Sequence, residues 1–226
     1  MSSGVQSFTG VRVLIFDLDG TLIDSKLDLA LSVNAMLRNA ARPEIPHDAI
    51  GSLVGDGAPM LVRRALGPGA SDAEVQQALA HFLSYYREHM LDNTTLYPGV
   101  LDCLKRLDGR LLAVLTNKPE RFSREILGGL GVARYFQYVY GGNSFEKKKP
   151  DPIGVQTLLA HFSAEPRDAM VVGDSPVDIE TARNAGTWAC GVTYGLGSDR
   201  LPQSCPDLLI DSLAQLPQIL ERGASE

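Results

Sequence analysis

Val11-Arg12-Val13-Leu14-Ile15-Phe16-Asp17-Leu18-Asp19-Gly20-Thr21 is the stretch whose reading decides the fold. Its first six residues are mostly β-branched or aromatic, which predicts a short strand buried on both faces and closed by a Gly-Thr turn. Two carboxylates one residue apart at the end of such a strand are costly. An ionised group buried without a partner costs several kcal/mol, so the pair implies a cation or a shifted pKa. Strand alternation sends Asp17 and Asp19 to the same side, and Gly20 lets the backbone approach a ligand closely. Read alone, the same residues also suit an ordinary capped turn. The rest of the chain distinguishes the two.

The chain has 226 residues, 44% hydrophobic and 21% charged, with a formal net charge of −6. That is enough for one domain with an insertion or for two small domains. The acidic balance argues against a nucleic-acid-binding surface. Met1 to Gly10 is polar, without the apolar core of a signal peptide, and no segment has the length of a membrane span. Cys103, Cys190 and Cys205 form an odd, widely spaced set, expected to be reduced thiols within the packing of a cytoplasmic protein.

Apolar spacing predicts a helix over about 25–40, a short helical stretch over 48–53 and another helix from Met60 to Leu66. Ser71-Asp72-Ala73-Glu74 has the form of a capping box, and Val75, Leu79, Phe82, Leu83, Tyr86 and Met90 mark one face of the helix it opens. No strand is predicted between Thr21 and Thr94. After Tyr97-Pro98-Gly99 strands and helices alternate: strands at 111–115, 138–140, 170–172, 188–193 and 208–210, and helices following Val100, Pro119, Pro152, Val177 and Ser212. The last helix carries a second Ser-x-x-Gln capping signature at Gln215. This alternation predicts a parallel sheet covered on both faces, whose ligands sit beyond the carboxyl ends of the strands. Polar signals stand at four such ends: Asp17/Asp19, Thr116/Asn117, the Lys149 loop and Asp174/Asp178.

Together these four motifs resemble those of the haloacid dehalogenase superfamily of phosphohydrolases, in order and in spacing. They are Asp17-Leu18-Asp19-Gly20-Thr21, then Thr116, then Lys149 before Pro150, and then Gly173-Asp174-Ser175-Pro176-Val177-Asp178. The resemblance implies a three-layer, Rossmann-like α/β core from residues 1–24 and 95–226, with an inserted all-helical cap domain over 25–94. It also implies Mg²⁺, held by Asp17, the backbone carbonyl of Asp19, and Asp174, with Asp178 on metal-bound water or on Lys149. Phosphate-monoester hydrolysis is so slow in water that accelerations reach ~10²¹-fold. In the implied reaction Asp17 is the nucleophile, giving an aspartyl-phosphate. Asp19 is the general acid and base. Thr116 donates to a phosphoryl oxygen, and Lys149 places a compact charge beside it.

A carboxyl group at Asp19 fits a phosphatase or a phosphomutase. Asp24-Ser25-Lys26-Leu27-Asp28 lacks the histidine with which sugar phosphomutases of the family control water, so water is the expected acceptor. The insertion resembles the cap of the phosphoglycolate phosphatase group, and Gly55-Asp56-Gly57 resembles its Gly-x-Gly substrate loop; with Asn117, these residues are the expected substrate contacts. The expected ligand is a small phosphorylated metabolite similar to 2-phosphoglycolate, bound by a monomer or homodimer. Rival readings are a β-phosphoglucomutase-like sugar phosphomutase, a pyrophosphatase, and a phosphate-sensing module without turnover. A sensor would be expected to lose Asp17, Asp19 or Lys149, and all three are present. His47, His81, His89 and His161 read as surface or packing residues, Trp188 as core, Lys147 and Lys148 as solvated loop charges, and Arg63 and Arg64 as solvent-facing.

Overall fold

The structure, a computed structural model, describes residues 8–221, so most of the polar stretch Met1–Gly10 lies outside the described residues. Six parallel strands form one sheet in the order β5-β4-β1-β6-β7-β8. They are β1 (Val13–Phe16), β4 (Leu111–Leu115), β5 (Tyr138–Tyr140), β6 (Ala169–Gly173), β7 (Trp188–Val192) and β8 (Leu208–Ile210). β1 lies between β4 and β6, with Phe16 opposite Val114 on one side and Val172 on the other. Strand order therefore reverses at β1, which opens a crevice beyond its carboxyl end. Faces alternate along the fully buried β1: Leu14 and Phe16 belong to the core on one face, Val13 and Ile15 to the core on the other. Sheets buried on both faces read as unbroken apolar runs, as this one does.

Helices α1 (Lys26–Asn39), α2 (Ala58–Leu66) and α3 (Asp72–His89) form the insert between β1 and β4. Ser71 and Glu74 make the expected capping box at the start of α3, with Glu74 Oε2 2.8 Å from Ser71 N. The insert's apolar side continues the core of one sheet face, through Leu61, Phe82 and Tyr86. The chain enters and leaves it through a two-residue antiparallel pair, β2 (Ile23–Asp24) with β3 (Thr95–Leu96). β2 corrects the expectation of no strand between Thr21 and Thr94, because two residues are too short for any periodicity. Beside that pair the buried Asp28 carboxylate accepts hydrogen bonds from the backbone and side chains of Asn93 and Thr94, at 2.7–3.0 Å.

The remaining helices are α4 (Val100–Arg106), α5 (Glu120–Gly129), α6 (Ile153–Phe162), α7 (Pro176–Ala185) and α8 (Leu216–Glu221). The short helical stretch expected over 48–53 is a 3-10 helix at His47–Ser52. Two local expectations are corrected. The last helix is divided into a 3-10 turn (Leu213–Gln215) and α8. Gln215 Oε1 accepts from Asp211 N rather than from Ser212 N, one residue before the position a capping box requires. Trp188 is half-buried at the start of β7, edge-on to Phe8 and beneath the Arg167 guanidinium. Cys103 and Cys190 are buried as expected, but Cys205 is exposed.

Candidate active site

Five of the motif residues meet at the crevice. Asp17 follows β1, Thr116 follows β4, Lys149 lies in the loop between β5 and α6, Asp174 follows β6, and Asp178 lies in the first turn of α7. Each position has a local cause. The Leu18 carbonyl accepts from the amides of Thr21, Leu22 and Ile23, at 2.9–3.2 Å, folding the acidic stretch into a tight turn. Gly20 has φ +82°, and a Cβ there would lie 2.2 Å from Asp174 Oδ2, so both conformation and space require glycine. The four-residue step from Asp174 to Asp178 is set by helix capping: Asp178 Oδ2 accepts from Ser175 N at 3.1 Å and Ser175 Oγ at 2.7 Å.

Lys149 Nζ lies 2.6 Å from Asp178 Oδ1 and 2.9 Å from Asp17 Oδ1. Its contact to Asp17 is an ion pair without hydrogen-bond alignment, so Asp17 Oδ1 has no hydrogen-bond partner. Oxygens of Asp17, Asp174 and Asp178 all lie within 4.8 Å of one another. Burial pushes the Asp17 carboxyl up to about 6, against the Lys149 ammonium, which lowers it. Burial also raises Asp174 well above the ordinary range, and Asp178 and Asp17 add to the effect. Lys149 is raised, its neighbouring carboxylates Asp17 and Asp178 outweighing the burial that would depress it. Three carboxylates against one ammonium, all hard oxygen donors with one oxygen lacking a donor, form a site suited to a divalent cation.

Asp19 lines the same cavity as Asp17 but keeps different company. Ser25 Oγ donates to its Oδ1 at 2.5 Å, and Lys118 Nζ donates to Oδ1 at 2.8 Å and Oδ2 at 3.0 Å. Lys118 is itself buried, and also donates to Tyr86 Oη on α3, at 2.6 Å. Burial alone would depress this ammonium, but Asp19 and Tyr86 beside it carry its pKa above the ordinary lysine value. Burial raises the Tyr86 hydroxyl to about 12. Sequence reading misses this triad. Lys118 stands two residues beyond Thr116, the offset that shares a face at a strand's end, while Tyr86 is concealed within the apolar face of its helix.

Thr116 is buried, its Oγ1 accepting from Lys118 N at 3.3 Å. Asn117 Nδ2 donates to the Gly55 carbonyl at 3.0 Å and to the Lys149 carbonyl at 3.1 Å, tying the insert's turn to the core. Lys148 is exposed, as expected of a solvated loop charge, and also donates to the Asp56 carbonyl, linking its loop to the insert's turn. Gly55 and Gly57 line the cavity, whereas the Asp56 carboxylate pairs with Arg64, which also reaches the Leu53 carbonyl. The turn thus offers backbone to the site, and Arg64 braces it from behind. Arg63 pairs with the exposed Asp72, Lys147 with Asp151, His89 with Asp92 and His161 with Tyr140. No histidine lines the cavity among the described residues.

Valine at Gly55 and Gly57 should lower kcat/KM for the natural substrate on the order of 10²-fold, by displacing the turn. Gly55 has φ +120° and Gly57 φ +83°, and a Cβ at Gly57 would meet the Asn117 carbonyl at 2.9 Å. A small aryl phosphate should lose much less. Equal losses on both, with the fold verified by circular dichroism, would show that the turn selects nothing.

The chain belongs to the haloacid dehalogenase-like hydrolases, whose family model matches residues 14–192. A phosphoglycolate phosphatase from Pseudomonas putida is 41% identical, over 96% of this chain and 83% of that protein. One from Haemophilus influenzae is 39% identical, over 94% of this chain and 99% of its own. A crystal structure described as a predicted phosphoglycolate phosphatase from Haemophilus somnus superposes with a TM-score of 0.88 at 34% identity, covering 93% of this chain and 98% of that one. No helix of the described residues is long and apolar enough to cross a membrane.

Proposed function

We propose that this chain is a Mg²⁺-dependent phosphatase of small phosphate monoesters, with 2-phosphoglycolate as its substrate. The observation that carries the reading is the convergence of Asp17, Lys149, Asp174 and Asp178 on one buried pocket, with Thr116 and Asp19 on its walls. The relatives' names supply the substrate. The proposed catalytic core runs over 1–24 and 95–226, of which 8–24 and 95–221 are described, and the cap over 25–94, in a cytoplasmic monomer or homodimer.

Asp17, the Asp19 backbone carbonyl and Asp174 would hold Mg²⁺, which when bound neutralises the phosphate and carboxylate charge that would otherwise repel. Asp178, already accepting from Lys149 and Ser175, orients the lysine. Asp17 attacks phosphorus, forming the aspartyl-phosphate as the P–O bond to the alcohol breaks. Asp19 gives a proton to the departing oxygen and takes one from the water that cleaves the intermediate. Thr116 and Lys149 bear on the phosphoryl oxygens, in a site whose apolar walls strengthen each charge.

Release of phosphate from 2-phosphoglycolate tests the substrate. Without it, or with interconversion of a hexose 1-phosphate and no phosphate release, the reading fails. EDTA should abolish turnover and Mg²⁺ restore it, whereas Ca²⁺, with its looser shell, should restore it poorly. Full activity in metal-free buffer would remove the metal from the mechanism. Because burial raises Asp17 to about 6, protons compete with the cation. Mg²⁺ affinity should therefore fall as pH drops through about 6, with proton release on binding seen by calorimetry.

A further inference from the structure

We propose that Lys118 reads the carboxylate of the substrate, exchanging a contact to Asp19 for it. The inference rests on the phosphatase reading and deepens it: the site selects phosphate monoesters carrying a second, carboxylate anion.

The cavity has an apolar wall that includes Leu29, Leu61, Phe82 and Phe122, and the cations lining it among the described residues are Lys118 and Arg200. Arg200 is half-exposed and faces Asp199 at 3.8 Å, so water and a neighbour already screen it. Lys149 is committed to Asp17 and Asp178. Lys118 is different: its side chain is 5% exposed, and its ammonium stands where a carboxylate is already bound through both oxygens. An unpaired ammonium in such a place would be expensive, so the site demands an anion there at all times. The two Asp19 contacts are not equivalent. Oδ1 has the Ser25 hydroxyl as a second donor, while Lys118 is the donor recorded for Oδ2, at the longer distance of 3.0 Å. An incoming carboxylate takes the place of Oδ2 on the ammonium, and Asp19 keeps Ser25 through Oδ1.

Position supports the same reading. Lys118 N donates to the Thr116 hydroxyl, so the phosphate-facing and carboxylate-facing groups are two residues apart on one strand end. Tyr86, from the insert, also accepts from the ammonium, at 2.6 Å. A substrate spanning phosphate and carboxylate would thus engage the core and the insert together, whereas a neutral phosphate ester would leave Lys118 on Asp19.

Isothermal titration calorimetry with Mg²⁺ present tests the proposal using two unreactive ligands, 3-phosphonopropionate and propylphosphonate, which differ by the carboxylate. The wild-type protein should bind the carboxylated ligand at least about tenfold tighter. In Lys118→Met the ratio of the two affinities should fall by roughly 10–100-fold, the range for a hydrogen bond to a charged group. A ratio within one sample is insensitive to the fraction folded, and Lys118→Gln, similar in length but uncharged, should reproduce the loss. No wild-type preference for the carboxylate, or a preference that survives in both variants, would overturn the proposal. Equal weakening of both ligands would overturn it too, leaving Lys118 as a counter-ion of Asp19. Failure of the substrate reading would be seen separately, as no turnover of 2-phosphoglycolate by the wild-type protein.

Discussion

Asp17→Asn should abolish phosphate release while leaving the fold intact. Asparagine is nearly isosteric and keeps the place beside Lys149, but an amide cannot form the acyl-phosphate, and covalent catalysis has no neutral substitute. Stability gives a second readout with the opposite sign. Asp17 is held in a pocket that already contains Asp174 and Asp178, and its raised pKa, about 6, records that ionisation there is unfavourable. In metal-free buffer at pH 7–8, the variant should therefore melt no lower than the wild type. The sign follows from linkage. A carboxyl raised in the folded state favours folding below its unfolded pKa, near 4, and that contribution is lost as pH rises through about 6. Retention of a tenth of wild-type turnover would remove Asp17 as the nucleophile.

Asp19→Asn should also be severe, losing on the order of 10²–10⁴ in kcat on alkyl phosphates, the usual share of general acid–base catalysis. Aryl phosphates, whose leaving groups need little protonation, should lose less. An equal penalty on both would count against the acid role. Unlike the first variant, this one should also destabilise the protein. Lys118 would lose the carboxylate that compensates its buried charge, and removing one member of such a pair costs about 3–5 kcal/mol. Turnover must be read well below the melting temperature. A melting temperature unchanged from wild type would mean that the Lys118 ion pair contributes little to the fold.

The sheet and the four strand-end motifs were legible because each is a local signal. β1 is an apolar run closed by carboxylates, and Asp174 and Asp178 sit at a strand end and a helix start, with a spacing that capping imposes. What escaped was whatever depends on two distant segments meeting. Lys118 and Tyr86 lie in different elements and gain their role from packing α3 against the strand end. Asp56 reads from the sequence as a site residue, but in the fold its side chain serves Arg64, and the exposed Lys148 reaches its backbone carbonyl. β2 and β3 are too short for periodicity to find, and the offset cap at Gln215 differs from the ideal pattern by one residue.

Both passages of the chain between core and insert run through one narrow place, where β2 lies beside β3 and Asp28 fastens Asn93 and Thr94 to α1. Because entry and exit are adjacent, the separation the sheet must present to this segment is fixed and small, whatever lies between. The insert's length can therefore change without moving the two strand ends that carry it, with the Asp28 clasp as the seam.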